Sequence, residues 1–198
     1  MANLFAKIKE KINLHIIRPV LESHLPVRSV AVGAAVGMFA GMTPTVGIQM
    51  WEVFMIWLIF KYIFRFRFDL VVGTALVWLS NPITLVPLYY GFLATGVGFF
   101  HLLGKEVVGM GYADFEKKLE AITENPALSS WGKALEGGQF LLVDLGYPMI
   151  IGSLFWATPL AILSYWATMK YLTLYRKKKA ESLGISYIEW RERYERAS

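Results

Sequence analysis

Few side chains in this chain can do polar chemistry away from its charged ends, and those few gather beside prolines. Glu52 is the single charged residue between Ser29 and Phe60. It closes the segment "MTPTVGIQMWE" (42–52), which also holds Thr43, Pro44, Thr45 and Gln49. A second segment, "SNPIT" (80–84), carries Ser80, Asn81, Pro82 and Thr84. A third, "ATP" (157–159), carries Thr158 and Pro159. Hydroxyls and amides can hydrogen-bond the head of a ligand or cap an interrupted helix, and a lone carboxylate in apolar surroundings can hold a proton or a cation. Such a set does not build a hydrolase or transferase. His15, His24 and His101 lie far apart, and neither a Gly-Lys-Ser/Thr phosphate loop nor a His/Asp/Glu metal spacing is present. The residues read as a binding site and not as an enzyme, with no metal and no cofactor expected.

The elements that must position these groups are apolar. Hydrophobic residues make up 56% of the 198-residue chain and charged residues 18%, too apolar a balance for an ordinary soluble domain. The charges are also segregated: none occurs from Leu70 to Gly104, and none from Leu145 to Met169. A membrane-crossing helix needs about 20 apolar residues, so each stretch is long enough to cross. By length the chain is one domain. The absence of cysteine excludes disulfides and thiolate metal sites.

The prolines and glycines predict interrupted helices. Gly41, Pro44 and Gly47 split the first stretch into two pieces joined by a turn at Thr43–Gly47. Gly33 and Gly37 form a GxxxG pair, which permits close helix approach. The part of the second stretch before Asn81 is too short to span alone, which favours a re-entrant half-helix followed by a true span. Pro44, Pro82 and Pro159 each stand where a half-helix could begin. "GMFAGMTP" (37–44) and "GSLFWATP" (152–159) share a glycine, a threonine and a proline at equal spacing, the pattern of an internal repeat or of chance in biased sequence. Half-helix ends converging on one midplane site are a transporter device, and a helix N-terminus there favours an anionic group. The expected fold is all-α: a polytopic membrane protein with broken or re-entrant helices.

Flanking charge orders the chain. Residues 1–26 predict an amphipathic helix, with Leu4, Phe5, Ile8, Ile12 and Ile16 at helical spacing and Lys7, Lys9 and Lys11 off that face. Such a helix suits an anionic membrane surface or packs on the rest of the protein. The segment lacks the pattern of a cleavable signal, so the first apolar stretch is expected to act as an uncleaved anchor. Residues 27–175 form the membrane domain. Within it, the polar loop 105–137 carries Lys105, Lys117, Lys118 and Lys133 against Glu106, Asp114, Glu116, Glu120, Glu124 and Glu136, a net −2. Residues 176–198 form a basic tail beginning "RKKK" and ending in a short charged helix. The basic N-terminus, the cluster Lys61, Arg65 and Arg67, and the tail all favour the cytoplasmic side. If the second stretch crosses once, the 105–137 loop is external; if it forms a hairpin, the loop is internal.

"AVGAAVGMFAGMTPTVGIQM" followed by "WLSNPITLVPLYYGF" resembles an uncharacterised bacterial family, domain of unknown function 2062, over roughly residues 20 to 175. The pattern is carried by Gly37, Phe39, Gly41, Pro44, Gly47 and Gln49, then by Asn81, Pro82, Thr84, Pro87 and Tyr89. Members usually place an asparagine after the basic loop, where this chain has Asp69. The resemblance implies a bacterial inner-membrane protein. It also implies an association with glycosyltransferases that resemble polyprenyl-phosphate sugar synthases, since some relatives are fused to one.

The leading expectation is therefore a small inner-membrane protein that binds or moves an anionic amphipathic lipid, such as a polyprenyl-phosphate carrier. The ligand-binding set is Thr43, Pro44, Gln49, Glu52, Asn81, Pro82, Thr84, Thr158 and Pro159. The alternatives are a scaffold recruiting a partner enzyme of envelope biogenesis, such as a glycosyltransferase, and an ion or small-solute channel dependent on Glu52. The expected partners are membrane lipid and further copies of the chain. Basic residues confined to the membrane flanks do not support nucleic-acid binding.

Overall fold

The computed structural model describes Glu10 and residues 13–45, 47–80, 82–107 and 109–195, with only the backbone at positions 82, 83 and 144. Of the described residues 78% are helical, and none lies in a strand. A π-helical turn, Asn13–Ile17, leads into α1, Arg18–Glu22. The succeeding helices are α2 (Val27–Gly41), α3 (Gln49–Tyr62), α4 (Leu70–Val77), α5 (Pro82–Leu102), α6 (Tyr112–Thr123), α7 (Ser130–Gln139), α8 (Gly146–Ser182) and α9 (Tyr187–Tyr194). The lysine-bearing part of the amphipathic segment expected at 1–26 lies outside the described residues.

The expected break in the first stretch is present. α2 ends at Gly41, and the left-handed backbone of Gly47 (φ +80°) turns the chain into α3. The second stretch divides as its breakers dictate, into the eight-residue α4 and the 21-residue α5. Asp69 caps α4 by accepting from the Val72 N–H at 3.1 Å. An asparagine would make the same cap, which explains why an acid can stand at this position.

Two expectations fail. The break at Pro159 does not occur, because α8 runs unbroken through it. One proline removes one N–H and displaces one carbonyl, a loss that a 37-residue helix absorbs when the proline is exposed. The 105–137 segment is not a simple loop either. It folds into α6 and α7, and α6 buries Phe115, Leu119 and Ile122 on one face.

Among the described residues, two helices are long and apolar enough to cross a membrane: Thr84–Leu102 within α5, and α8. Nineteen residues rise about 28 Å, close to the thickness of a bilayer's hydrocarbon layer. Only 22% and 28% of their apolar windows are buried within the protein. A core helix of a soluble domain buries most of its apolar face, and these do not.

Two compact units are distinguished within the chain. Residues 1–38, 53–78 and 160–198 form the first. There the GxxxG pair does what its spacing predicts: a methyl on Gly33 would overlap the Asp69 carbonyl, and one on Gly37 would overlap the Gly73 carbonyl. Val30, Ala31, Ala34, Phe68 and Val72, from the same stretches of chain, are buried. The second unit comprises residues 39–52 and 79–159. In it, Gly96 and Gly152 let α5 and α8 touch backbone to backbone, Gly96 against Pro148 and Gly152 against Phe92. The two copies of the repeated octapeptide thus share the use of their glycine, at a close helix crossing. They differ at the proline, which lies in a turn in the first copy and within a helix in the second.

Candidate functional site

The polar residues of 43–52 converge at the α2–α3 turn. α2 terminates in tight turns, with the Met42 N–H bonded to the Phe39 carbonyl and the Thr43 N–H to the Ala40 carbonyl, both at 3.1 Å. α3 then opens with Gln49 and Glu52, three positions apart and on one face of its first turn. That face looks back on the turn it has just left. The Thr45 hydroxyl donates to Glu52 Oε2 at 2.8 Å, and Thr43 Oγ1 lies 3.3 Å from the same oxygen. Thr43 Oγ1 also donates to the Ala40 carbonyl at 2.6 Å and contacts Thr45 Oγ1 at 2.8 Å.

Gln49 is the centre of a second set of bonds. Its Nε2 donates to the Thr43 carbonyl and to the Tyr89 hydroxyl, both at 3.1 Å. Its Oε1 accepts from the Ser80 hydroxyl at 2.8 Å. The Tyr89 hydroxyl in turn donates to the Thr43 carbonyl at 3.2 Å. A carbonyl only accepts, so Nε2 must face Thr43, and the amide orientation is determined. Gln49 and Tyr89 are both buried, so each of these bonds replaces a lost bond to water.

Glu52 is half-buried and accepts the Thr45 hydroxyl proton at Oε2. Among the described residues it has no ion-pair partner, and none donates to its Oε1. The cluster is thus anchored at Gln49 and Tyr89 and keeps acceptor capacity at Glu52. It can receive hydroxyls, amides or a cation. A carboxylate with no cation beside it repels a bare phosphate.

The other expected site residues divide. Pro44 is buried in the turn. Pro82 begins α5, and the Thr84 hydroxyl donates to the Leu79 carbonyl at 2.6 Å, closing the start of that helix. Asn81 lies outside the described residues. Thr158 and Pro159 are exposed on α8 and take no part in the hydrogen bonds of the cluster. Thr45, Ser80 and Tyr89 are members that the expected ligand-binding set did not include; Thr45 and Ser80 lie in polar segments the sequence singled out, whereas Tyr89 does not. One tyrosine in an apolar run looks like lining, and its only signal is its place at the end of the N-P-x-T-x-x-P-x-Y pattern.

No curated protein and no solved structure shows significant similarity to the chain. A family described as "Uncharacterized protein conserved in bacteria (DUF2062)" matches residues 11–181, which include the turn, Gln49, Glu52, Ser80 and Tyr89. With most of its length matched, the chain belongs to that bacterial family.

Proposed function

We propose that this is a multi-pass inner-membrane protein that binds, and carries across the bilayer, a lipid with a hydroxyl-rich polar head, of the lipid-linked sugar class. α5 and α8 cross the membrane, and the basic termini lie on the cytoplasmic side. The observation that carries the reading is the Gln49–Tyr89–Thr43–Glu52 cluster, a set of amide, phenol, hydroxyl and carboxylate groups held within an apolar stretch. Polar and ionisable groups at membrane depth are costly, and that cost marks a functional site. Glu52 sharpens the ligand: the part that meets the cluster is a sugar or polyol, and any phosphate sits away from it. The glycosyltransferase association implied by the family resemblance points to the same class of lipid. The test is reconstitution into liposomes with a labelled polyprenyl-phosphate sugar. Binding or transfer by wild type that is lost in Glu52→Gln and Gln49→Ala supports the reading; no binding by wild type overturns it.

A second reading rests on Glu52 itself, as a cation or proton relay in an ion pathway. The missing ion-pair partner among the described residues favours it. Ion flux in the same liposomes, abolished by Glu52→Gln without any lipid added, would replace the first reading with this one.

A further inference from the structure

The loop between α3 and α4, residues 63–69, is built as a rigid cationic tip. Its sequence "RFRFD" alternates, and the structure buries its phenylalanines in part or whole while exposing its arginines. Phe66 is half-buried and Phe68 is 1% exposed; both pack edge-on against Phe60, at 6.5 and 5.5 Å between ring centroids. Arg65 and Arg67 take the opposite face and are exposed. The loop is tied at both ends. The Phe66 N–H bonds to the Phe60 carbonyl at 3.0 Å, Trp57 Nε1 to the Phe68 carbonyl at 3.1 Å, and the Asp69 N–H to the Ser29 carbonyl at 3.0 Å.

Three further features single out this tip. Tyr62, Ile63 and Phe64 are 70%, 71% and 65% exposed, an apolar crest directly beside the arginines. Lys61 adds a third cation, its Nζ 4.7 Å from the Trp57 ring centroid and 4.9 Å from that of Tyr62. Arg65 adopts φ +51°, the left-handed region that a side chain other than glycine or asparagine occupies at a cost. Asp69, the acid of the loop's own sequence, is buried and spent on the α4 cap and on Ser23, so it does not neutralise the face.

We infer that residues 61–67 form a binding site for the head groups of anionic phospholipids. Tyr62, Ile63 and Phe64 enter the apolar edge of the leaflet while Arg65 and Arg67 pair with lipid phosphates at its surface. Exposed aromatic and aliphatic side chains next to cations suit that boundary. This site shares no residue with the Gln49–Tyr89 cluster and does not depend on what that cluster binds.

The test uses the full chain in detergent, followed by thermal unfolding while phosphatidylglycerol, phosphatidylcholine or inorganic phosphate is titrated in. Wild type should be stabilised by phosphatidylglycerol well beyond the effect of phosphatidylcholine. The double variant Arg65→Asn/Arg67→Gln keeps a residue tolerant of the left-handed backbone, so it should unfold at about the wild-type temperature without lipid. It should need about tenfold or more phosphatidylglycerol for the same shift. Lys178→Gln/Lys179→Gln removes equal charge from exposed positions elsewhere and should leave the shift intact. An undiminished shift in the arginine variant overturns the inference. So does an equal loss in the lysine variant, which would mean non-specific attraction, or an equal shift with inorganic phosphate, which would mean an ion site.

Discussion

The side-chain amide of Gln49 donates to the hydroxyl of Tyr89 at 3.1 Å, across 40 positions of sequence. The same Nε2 and the same hydroxyl both reach the Thr43 carbonyl, so three groups close a small ring of hydrogen bonds. Removing one member strands the others in a buried place. Tyr89→Phe and Gln49→Ala should each lower stability by about 1–3 kcal/mol, and the double variant should cost less than the sum. Thermal unfolding of the four proteins in one detergent measures the coupling. Additive losses would mean that the ring does not act as a unit.

The glycine crossings make a graded prediction. Gly37→Ala and Gly152→Ala push a methyl into the carbonyls of Gly73 and Phe92, and backbone cannot yield as a side chain can. Each should destabilise by about 1–3 kcal/mol or more. Gly98 also lies in α5, but nothing stands within 4 Å of where its methyl would be. Gly98→Ala should therefore be neutral or stabilising by up to about 1 kcal/mol. Unfolding temperatures that fail to separate Gly98 from the other two would contradict the packing.

Pro159 offers a test of the continuous α8. In a broken-helix site, Pro159→Ala would remove the break and with it the function. In an unbroken helix the exposed proline is only a local cost, at most about 3 kcal/mol relative to alanine. Pro159→Ala should leave helical circular dichroism unchanged and raise the unfolding temperature. A loss of ligand binding with the fold intact would restore the half-helix reading at this position.

The C-terminal tail is clasped to the rest of the first unit. Arg176 is 1% exposed and donates to Glu195 at 2.7 Å and to the Ser23 carbonyl at 2.7 Å, with its guanidinium carbon 5.4 Å from the centroid of the Trp190 ring. Glu195→Ala leaves a buried cation without its partner and should cost about 3–5 kcal/mol, whereas Arg176→Met removes the charge with the bond and should cost less. Limited proteolysis after α8 should rise sharply in the first variant. Deleting the tail to test a scaffold role would be confounded, because removal of residues 180–198 strips the partner from Arg176. Exposed α9 positions such as Ile188, 71% exposed, can be changed without that penalty.

What the sequence determined by itself was local. Hydropathy and the spacing of Gly41, Pro44, Gly47 and Pro82 were enough for the helical class, the α2–α3 turn and the split between α4 and α5. A missing N–H or a left-handed glycine acts on its own turn of chain. The GxxxG pair was legible for the same reason, since only small residues permit a close crossing. Pro159 shows the limit of that logic: a breaker is a cost, and a long exposed helix can bear it.

Tertiary structure decided which polar groups meet. Thr43, Thr45, Gln49 and Glu52 lie within ten residues, so a turn and one helical face bring them together. Ser80 and Tyr89 join only because α5 packs so as to bury the tyrosine against Gln49, and no local pattern encodes that. Thr158, identical in type and beside its own proline, is left out because α8 turns it outward. The clasp of Arg176 on Ser23, 153 positions away, is likewise invisible in a run that reads only as "RKKK". Side-chain chemistry is written in the sequence; the partner that satisfies a buried hydrogen bond is chosen by packing.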